Sequence, residues 1–444
     1  MHPTHSLSQA SGIVIAAPDS NTGKTVFTLG LVSALQSQGF EVEVAKAGPG
    51  YIDPQYLGAA LGRPCHNLDK WALGTVQLQA RAHELALGHD YLVIEGMKGM
   101  FDGAASMAGS TADLAATLDL PVLLLIDASG LAQSIAALVH GFSTLRRRPR
   151  VCGVVTTQVE SPGHAEMLKE VLRDLGMPMF GAIHRDDALN VPSRHLGRVQ
   201  ATEHGETEAL VAAARAAVLE SVDLNALKTA TRPVSAATSP FRLPPLGQRI
   251  AVAKDIAFEF TYPHILADWR AQGAEIVFFS PLNNEAPRID CDAVFLPGGY
   301  PEVHAGQISN AHRFFAGLLA AMERGALIYG ECGGYMVLGK SLIDAQGVAH
   351  GMAGLLDHVT SFANRKMHLG YRTLLPQQTD IWSTPLRGHE FHWSVLEDRG
   401  SDTPLFQASD ARGIDLGLTG GRRGSVMGSY AHIIDQDPTR ALAA

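Results

Sequence analysis

The chain has 444 residues, a length that favours two or three domains over a single hydrophobic core. Its formal net charge is −9, and this acidic balance argues against a nucleic-acid-binding protein, which normally carries a basic surface. The sequence has no run of about eighteen apolar residues, no apolar N-terminal signal and no CxxC pair among its four cysteines, so a cytoplasmic protein without membrane spans, disulfides or a zinc site is expected.

The first half of the chain alternates short apolar runs with helical patterns. Strands are predicted at residues 12–17, 42–46, 91–95, 122–127 and 151–156, and a helix at residues 25–38. Continuous apolar strands separated by helices are typical of a parallel sheet that is covered on both faces. The pattern therefore predicts an α/β, doubly wound domain over residues 1–224.

Residues 225–248 break this pattern and are predicted to be a linker, because they are rich in Pro, Thr, Ser and Ala and lack periodicity. Strand patterns resume at residues 249–253, 275–279, 293–296 and 326–329, with a helical pattern at 311–324. These elements predict a second doubly wound α/β domain over residues 249–444.

A phosphate-binding loop is predicted directly after the first strand. Residues 17–25 read Ala-Pro-Asp-Ser-Asn-Thr-Gly-Lys-Thr and lead into the first predicted helix. In such a loop backbone N–H groups bind phosphate, the lysine reaches the β and γ oxygens, and the hydroxyl binds Mg²⁺. The candidate nucleotide-binding residues are Asn21, Thr22, Gly23, Lys24 and Thr25. Pro18 departs from the usual motif, which has a glycine at this position.

Two acids follow strands of the same predicted sheet. Glu95 ends the strand at 91–95, and Asp53 comes soon after the strand at 42–46. Ligands bind at the carboxyl ends of parallel strands, so both acids are expected at the ligand-binding edge of the sheet. Together with Thr25 they predict a Mg²⁺ site of oxygen ligands, although either acid alone is as readily a loop cap or a surface charge.

A nucleophile is predicted at Cys332. Residues 326–339 predict a strand, a sharp turn and a helix, with Cys332 at the turn and glycines on both sides of it. This is the arrangement of a nucleophile elbow, and a helix N-terminus stabilises a thiolate. The backbone N–H groups of Gly299 and Gly333 are the candidate oxyanion hole. The other three cysteines are predicted to be small buried apolar side chains.

A cysteine nucleophile needs a base, and His432 is the candidate because it follows a strand pattern near the C-terminus. His389 and His392 are the competing histidines. Their spacing differs from H-E-x-x-H, which argues against a zinc peptidase, and they are expected to orient a substrate or a loop.

These motifs together resemble a known family. GECGGYM around Cys332, LPGGYPE at 296–302 and GSYAHI at 428–433 resemble class I glutamine amidotransferase domains, which have a flavodoxin-like sheet. Joined to a P-loop domain of dethiobiotin-synthetase type, they resemble the corrinoid amidases, and most closely the cobyrinic or hydrogenobyrinic acid a,c-diamide synthase family. Further blocks extend the resemblance over nearly the whole chain, among them GPGYIDP, NLDKW, EGMKGMFDG and RGHEFHW.

The resemblance implies a ligase that uses ATP, Mg²⁺ and L-glutamine. Cys332, with His432 as its base, would release ammonia from glutamine through a thioester. ATP would phosphorylate the c and then the a acetate carboxylate of a corrinoid substrate, and ammonia would displace the phosphate. A cytoplasmic enzyme without membrane or nucleic-acid partners is expected, and a homodimer is the default assembly.

Three positions depart from the family pattern. Gly50 replaces the acid of GPDYIDP, Lys98 lies within the EGxMG block, and Ile434 stands where typical triad amidotransferases have a glutamate. Asp435, or a residue elsewhere, is left to orient His432.

Two alternative functions remain open. The first is another amidase of the same architecture, such as cobyric acid synthase or nickel-sirohydrochlorin a,c-diamide synthase; the NLDKW block and the modest length favour the a,c-diamide reaction. The second is a P-loop switch ATPase fused to an inactive amidotransferase domain. The intact elbow at Cys332 argues against this second alternative.

Overall fold

The computed structural model describes residues 9–105, 107–190, 193–194, 197–198 and 207–439. They form two compact units, Met1–Pro240 and Phe241–Ala444. Residues 1–8, which belong to the polar segment used to argue against a secretory signal, lie outside the described residues. Within the described part of the chain, no helix combines the length and the hydrophobicity that a membrane crossing requires.

The first unit is an α/β structure built on one large sheet. Its strands are β1 (Ser11–Ala16), β2 (Val42–Ala47), β3 (His66–Leu68), β4 (Tyr91–Glu95), β5 (Val122–Asp127), β6 (Val151–Val159), β7 (Met179–His184), β8 (Ser193–Arg194), β9 (Gly197–Arg198) and β10 (Arg232–Pro233). Its helices are α1 (Lys24–Ser37), α2 (Ile52–Leu61), α3 (Lys70–Ala86), α4 (Thr111–Leu118), α5 (Ile135–Thr144), α6 (Pro162–Asp174), α7 (Thr207–Ser221) and α8 (Leu224–Ala230), with a 3-10 helix at Asp187–Leu189.

The main sheet of this unit is parallel, in the order β3-β2-β4-β1-β5-β6-β7, and β10 pairs antiparallel with β1. The central strands are apolar and buried along their length, because both faces of a parallel sheet are covered. The five predicted strands are confirmed as β1, β2, β4, β5 and β6. Since parallel strands end at one edge, the loops after β1, β2 and β4 lie side by side.

The two units meet in sequence between Pro240 and Phe241, inside the stretch 225–248 that was predicted to be a linker. The beginning of this stretch is not irregular, since α8 spans Leu224–Ala230. Leu224 and Leu227 lie one helical turn apart and are buried in the core of the first unit. The limits of the three predicted segments, 1–224, 225–248 and 249–444, stay a prediction.

The second unit contains a mostly parallel sheet, a mixed sheet and an antiparallel sheet. Its strands are β11 (Arg249–Ala253), β12 (Glu275–Phe279), β13 (Ala293–Leu296), β14 (Leu327–Glu331), β15 (Ser341–Ile343), β16 (Ala349–Gly351), β17 (Val359–Ser361), β18 (His368–Pro376), β19 (Leu386–His392), β20 (Val395–Asp398), β21 (Phe406–Asp410), β22 (Asp415–Thr419), β23 (Gly421–Arg423), β24 (Val426–Ser429) and β25 (His432–Gln436). Its helices are α9 (Pro263–Ala271), α10 (Ala305–Ser309), α11 (His312–Glu323) and α12 (Gly333–Leu338), with a 3-10 helix at Pro301–His304.

The parallel sheet of the second unit has the order β12-β11-β13-β14-β24-β23, with only β23 antiparallel to its neighbour. Strands β11 to β14 correspond to the predicted strands, and the predicted α/β class of the chain is confirmed. The sheets β16-β15-β17-β20 and β22-β21-β18-β19-β25 were not predicted. Many of their strands are only partly buried, so they lack the continuous apolar runs that made the parallel strands visible in the sequence.

A close approach between α1 and α7 gives a test of the packing in the first unit. A Cβ on Gly30 would stand 2.4 Å from the backbone oxygen of Ala214, so Gly30→Ala is expected to lower the free energy of unfolding by roughly 1–3 kcal/mol. Gly141→Ala is the matched control, because Gly141 lies in α5 with open space at its Cβ position, and this change is expected to stabilise by up to about 1 kcal/mol. Urea unfolding followed by circular dichroism measures both, and equal effects would contradict the packing described.

Candidate functional site

The loop after β1 turns the chain sharply into α1. Asn21 and Gly23 adopt left-handed backbone angles, with φ of 65° and 86°. Glycine adopts this conformation without strain, and asparagine tolerates it better than most residues. Helix α1 begins at Lys24, inside the predicted phosphate-binding loop. The N–H groups of its first turn have no acceptors within the helix, so they can bind phosphate.

Polar contacts within and around this loop hold it against the sheet. Lys24 Nζ donates to the backbone oxygen of Asp19 at 2.6 Å, and Thr157 Oγ1, on β6, donates to the backbone oxygen of Thr22 at 3.2 Å. Burial, and after it the charge of Lys46, lowers the pKa of Lys24 to about 8. The five residues predicted to bind nucleotide therefore lie together, and Asn21, Thr22 and Gly23 line an open pocket with Asp127 and Gln158.

In the first unit the sequence departs from the usual motifs at Pro18, Gly50 and Lys98, and the structure shows what surrounds each of them. A Cβ on Gly99 would stand 2.5 Å from the backbone oxygen of Pro18, so the loop after β4 packs closely on Pro18 and needs its glycine. Lys98, in the same loop, is exposed and has a left-handed φ of 42°. Gly50 has open space at its Cβ position, and its backbone oxygen accepts a hydrogen bond from Asn67. Steric crowding therefore does not require a glycine at position 50.

The predicted metal ligands Thr25, Asp53 and Glu95 lie in one cluster around Lys46. Thr25 Oγ1 donates to Glu95 Oε1 at 2.9 Å. Lys46 Nζ forms ion pairs with Glu95 Oε1 at 2.7 Å and with Asp53 Oδ2 at 2.8 Å. Burial disfavours the charge on Lys46, but the two carboxylates outweigh it and raise its pKa. Lys46 was not predicted from the sequence, although a charged residue near the end of an apolar strand was a usable signal.

The chemistry of this cluster fits a hard divalent cation. Two carboxylates and a hydroxyl are the oxygen ligands that Mg²⁺ prefers. Glu95 is fully buried, and among the described residues its Oε2 atom has no hydrogen-bond partner. A buried carboxylate oxygen without a donor is costly, so this atom is suited to a cation.

In the second unit, Cys332 lies at a strained turn between β14 and α12. Its backbone has a φ of 47° and a ψ of −106°, in the left-handed half of φ space. The turn is fixed by a hydrogen bond from the Cys332 N–H to the Ser429 backbone oxygen at 2.8 Å, at the end of the neighbouring strand β24. A Cβ on Gly334 would stand 1.9 Å from the backbone oxygen of Leu296. The glycines around Cys332 therefore allow the close approach that the sequence motif indicated.

Gly298 lies between Cys332 and His432. A Cβ placed on Gly298 would stand 2.3 Å from His432 Cε1, 3.0 Å from His432 Nε2 and 3.2 Å from the Cys332 Cβ. A Cβ on Gly333 would stand 3.1 Å from the Gly299 nitrogen. The structure thus brings together the predicted nucleophile, the predicted base and the two N–H groups predicted as an oxyanion hole, and their catalytic roles stay predictions.

The competing histidines have other surroundings. His392 Nε2 lies 2.8 Å from Glu390 Oε1, its Nδ1 lies 2.9 Å from Ser394 Oγ, and its ring stacks on Tyr430 at 3.9 Å. His389 is the cross-strand partner of His432 in the β19–β25 pair. These contacts favour His432 as the base that faces Cys332.

Burial dominates the protonation of this site. Burial, and after it the carboxylate of Glu302, raises the pKa of the Cys332 thiol, while the Gly333 N–H lowers it in part. Burial, with smaller contributions from His389 and His392, lowers the pKa of His432 to about 3. The free protein therefore holds a neutral thiol beside a neutral imidazole, rather than the thiolate that the position at a helix start suggested.

Both halves of the chain match known family models. Residues 13–199 match the CobQ/CobB/MinD/ParA nucleotide binding domain, and residues 249–439 match the CobB/CobQ-like glutamine amidotransferase domain. Each match lies within one of the two compact units.

Similarity to known proteins extends along almost the whole chain. The chain is 51% identical to hydrogenobyrinate a,c-diamide synthase of a Sinorhizobium species, over 96% of this chain and 99% of that protein. It is 49% identical to the enzyme of that name from Rhizobium meliloti (strain 1021), over 96% and 99% of the two chains. It is 50% identical to that from Brucella anthropi, over 96% and 98%. The resemblance noted from the sequence motifs is confirmed.

The neutral state of the thiol can be tested by alkylation. Because the pKa of Cys332 is raised, iodoacetamide is expected to alkylate Cys332 more slowly than it alkylates the thiol of glutathione at about pH 7.5. The rate of Cys332 alkylation is expected to rise about tenfold per pH unit up to about pH 9. Peptide mass spectrometry resolves Cys332 from the other three cysteines. A fast alkylation rate that does not change with pH would contradict the neutral thiol.

Proposed function

Because this chain belongs to the hydrogenobyrinate a,c-diamide synthase family, we propose that it uses ATP and glutamine to convert the a and c acetate side chains of hydrogenobyrinic acid into amides. The observation that carries the proposal is the convergence of Cys332, His432 and two backbone N–H groups around Gly298. The nucleotide-binding loop in the other unit supplies the second half of the reaction. A switch ATPase with an inactive amidotransferase domain would have no use for this arrangement.

Ammonia is produced at Cys332. The thiol proton moves to His432 as Sγ attacks the side-chain amide carbon of glutamine, which is the usual activation of a cysteine by an adjacent base. The N–H groups of Gly299 and Gly333 stabilise the charge that develops on the amide oxygen. The C–N bond then breaks, the proton on His432 passes to the leaving nitrogen, and ammonia departs. Water hydrolyses the remaining thioester to glutamate.

The carboxylate is activated at the phosphate loop. An acetate oxygen of the macrocycle attacks the γ-phosphorus of ATP, and the bond to ADP breaks. Ammonia then attacks the acyl carbon, and inorganic phosphate leaves. Catalysis of such a transfer rests on positioning and on charge neutralisation, and Lys24 and the N–H groups at the start of α1 supply both.

Thr25, Asp53 and Glu95 would hold Mg²⁺ in this site, and the ion would neutralise charge on the transferred phosphate. Lys46 contacts both acids, so it holds the two carboxylates together and balances one of their charges. Its raised pKa keeps it cationic at any physiological pH, so it stays paired with both acids. The assembly of the chain as a homodimer stays a prediction.

The division of labour between the two sites predicts opposite effects of two substitutions. Cys332→Ala is expected to abolish glutamine-dependent amidation and glutaminase activity, but to leave amidation with ammonium salts near the wild-type rate, because free ammonia bypasses the thioester. Lys24→Ala is expected to lose amidation with either nitrogen source and to keep glutaminase activity. Product formation and glutamate release are measured separately by chromatography.

Cys291→Ala is the matched control for this experiment, because Cys291 is a buried cysteine of the same unit that has no place in the proposed site. It is expected to keep all activities. Failure of ammonium to support amidation by Cys332→Ala would refute the division of labour. ATP hydrolysis by the wild type without any glutaminase activity would favour the switch ATPase instead.

The substrate is tested by comparing macrocycles. With ATP, Mg²⁺ and glutamine, the protein is expected to amidate hydrogenobyrinic acid faster than cobyrinic acid, since the similar enzymes are named for the former. Mass spectrometry of the product should show two added amides. Preference for cobyrinic acid would correct the substrate, and amidation of neither would refute the assignment.

A further inference from the structure

The carboxyl group of Glu331 lies beside the imidazole of His432. Glu331 is the last residue of β14 and directly precedes Cys332. Its Oε2 atom lies 3.7 Å from His432 Nδ1. Its Oε1 atom accepts hydrogen bonds from the Ile433 N–H at 3.0 Å and from the Tyr329 hydroxyl at 3.1 Å. Both side chains are almost fully buried, so water does not screen the interaction between them.

These contacts fix which oxygen faces the histidine. The two donors bind Oε1 from β25 and from β14 itself, so Oε2 is left pointing at the ring. At 3.7 Å the contact is longer than a hydrogen bond, but catalytic hydrogen bonds are often long before the substrate binds and tighten afterwards. Ile434, which occupies the place of the glutamate in typical triad amidotransferases, offers no acid.

We propose that Glu331 is the positioning residue of the glutaminase site. Its carboxylate binds the Nδ1–H of His432 and thereby directs Nε2 toward the thiol of Cys332. This inference rests on the proposed function, because it assumes that Cys332 and His432 react with glutamine. The proposal also gives a role to the acid of the sequence motif GECGG, which the glycines of that motif do not explain.

The electrostatics of the two groups are complementary. Burial raises the pKa of Glu331 to about 8, against the Ile433 N–H and the Tyr329 hydroxyl, which lower it. His432 is disfavoured as a cation by burial and by His389 and His392, whereas Glu390 and the Phe260 carbonyl favour the cation. Each group is thus penalised for its own charge in isolation. Once Glu331 has lost its own proton to solvent and His432 takes the thiol proton, the ion pair between them offsets both penalties, as a nearby opposite charge does in a buried site.

Glu331→Gln tests the proposal, because glutamine retains the size and an acceptor for the Ile433 N–H but removes the charge. Glutaminase kcat is expected to fall roughly 100-fold, with the KM for glutamine within about twofold of the wild type. Amidation with ammonium should be unchanged, since it does not use His432. Tyr329→Phe, which removes one donor to the carboxylate and keeps the charge, is expected to cause a smaller loss.

The pH profile separates positioning from a structural role. Only the carboxylate form of Glu331 stabilises the His432 cation, so the wild-type kcat/KM is expected to rise as the pH passes about 8. This rise should be absent from Glu331→Gln. The matched control is Asp435→Asn, since Asp435 is an equally buried acid on the strand of His432, and it is expected to keep both the glutaminase rate and the pH profile.

Three results would overturn the role of Glu331. The first is a wild-type glutaminase rate in Glu331→Gln, and the second is a loss of glutaminase activity in Asp435→Asn instead. The third is a loss of ammonium-dependent amidation in Glu331→Gln that is as large as its loss of glutaminase activity. The last would make Glu331 a residue required for folding rather than for positioning. Failure of the proposed function is distinguishable, because the wild type itself would then show no glutaminase activity that depends on Cys332.

Discussion

The backbone turn at Cys332 is the constraint on which the amidotransferase unit depends. A residue with a side chain is held at a φ of 47°, a conformation that persists only where the surrounding structure over-determines it. Gly298 and Gly334 supply that surrounding, because a Cβ on either would collide with His432 or with the Leu296 backbone. The same close packing that stabilises the strained turn brings the predicted nucleophile, the predicted base and the N–H groups close together. The strain and the geometry of the candidate site therefore have one structural origin.

Burial has opposite consequences for charge in the two candidate sites. Burial is the largest influence on the pKa of Cys332, His432 and Glu331. It therefore favours the neutral forms of the thiol, the imidazole and the carboxyl group. Around Lys46 two carboxylates outweigh burial, so Lys46 stays cationic. The difference suits the two reactions. Proton transfer from a thiol benefits from neutral groups that become an ion pair during the reaction, whereas phosphoryl transfer needs charges that are already in place.

Much of the fold was predictable because the parallel strands are continuous apolar runs, and β1, β2, β4, β5 and β6 all appeared in the sequence pattern. The phosphate loop and the elbow were predictable because each needs glycine at fixed positions. The other two sheets of the second unit were not predictable, because many of their strands are only partly buried. Lys46 and Glu331 were missed because their partners lie far away along the chain, at separations of 49 residues to Glu95 and 102 residues to Ile433. Local patterns do not report such pairings.

The central claim, that one chain couples glutamine hydrolysis to ATP-dependent activation of an acetate carboxylate, is tested most directly by isotope transfer. Hydrogenobyrinic acid labelled with oxygen-18 in its acetate carboxylates would be incubated with ATP, Mg²⁺ and glutamine carrying nitrogen-15 in its side-chain amide. Mass spectrometry should find nitrogen-15 in both new amides and one oxygen-18 in the phosphate released for each amide formed. Phosphate without oxygen-18 would contradict the acyl phosphate, and amides without nitrogen-15 would contradict glutamine as the source of ammonia.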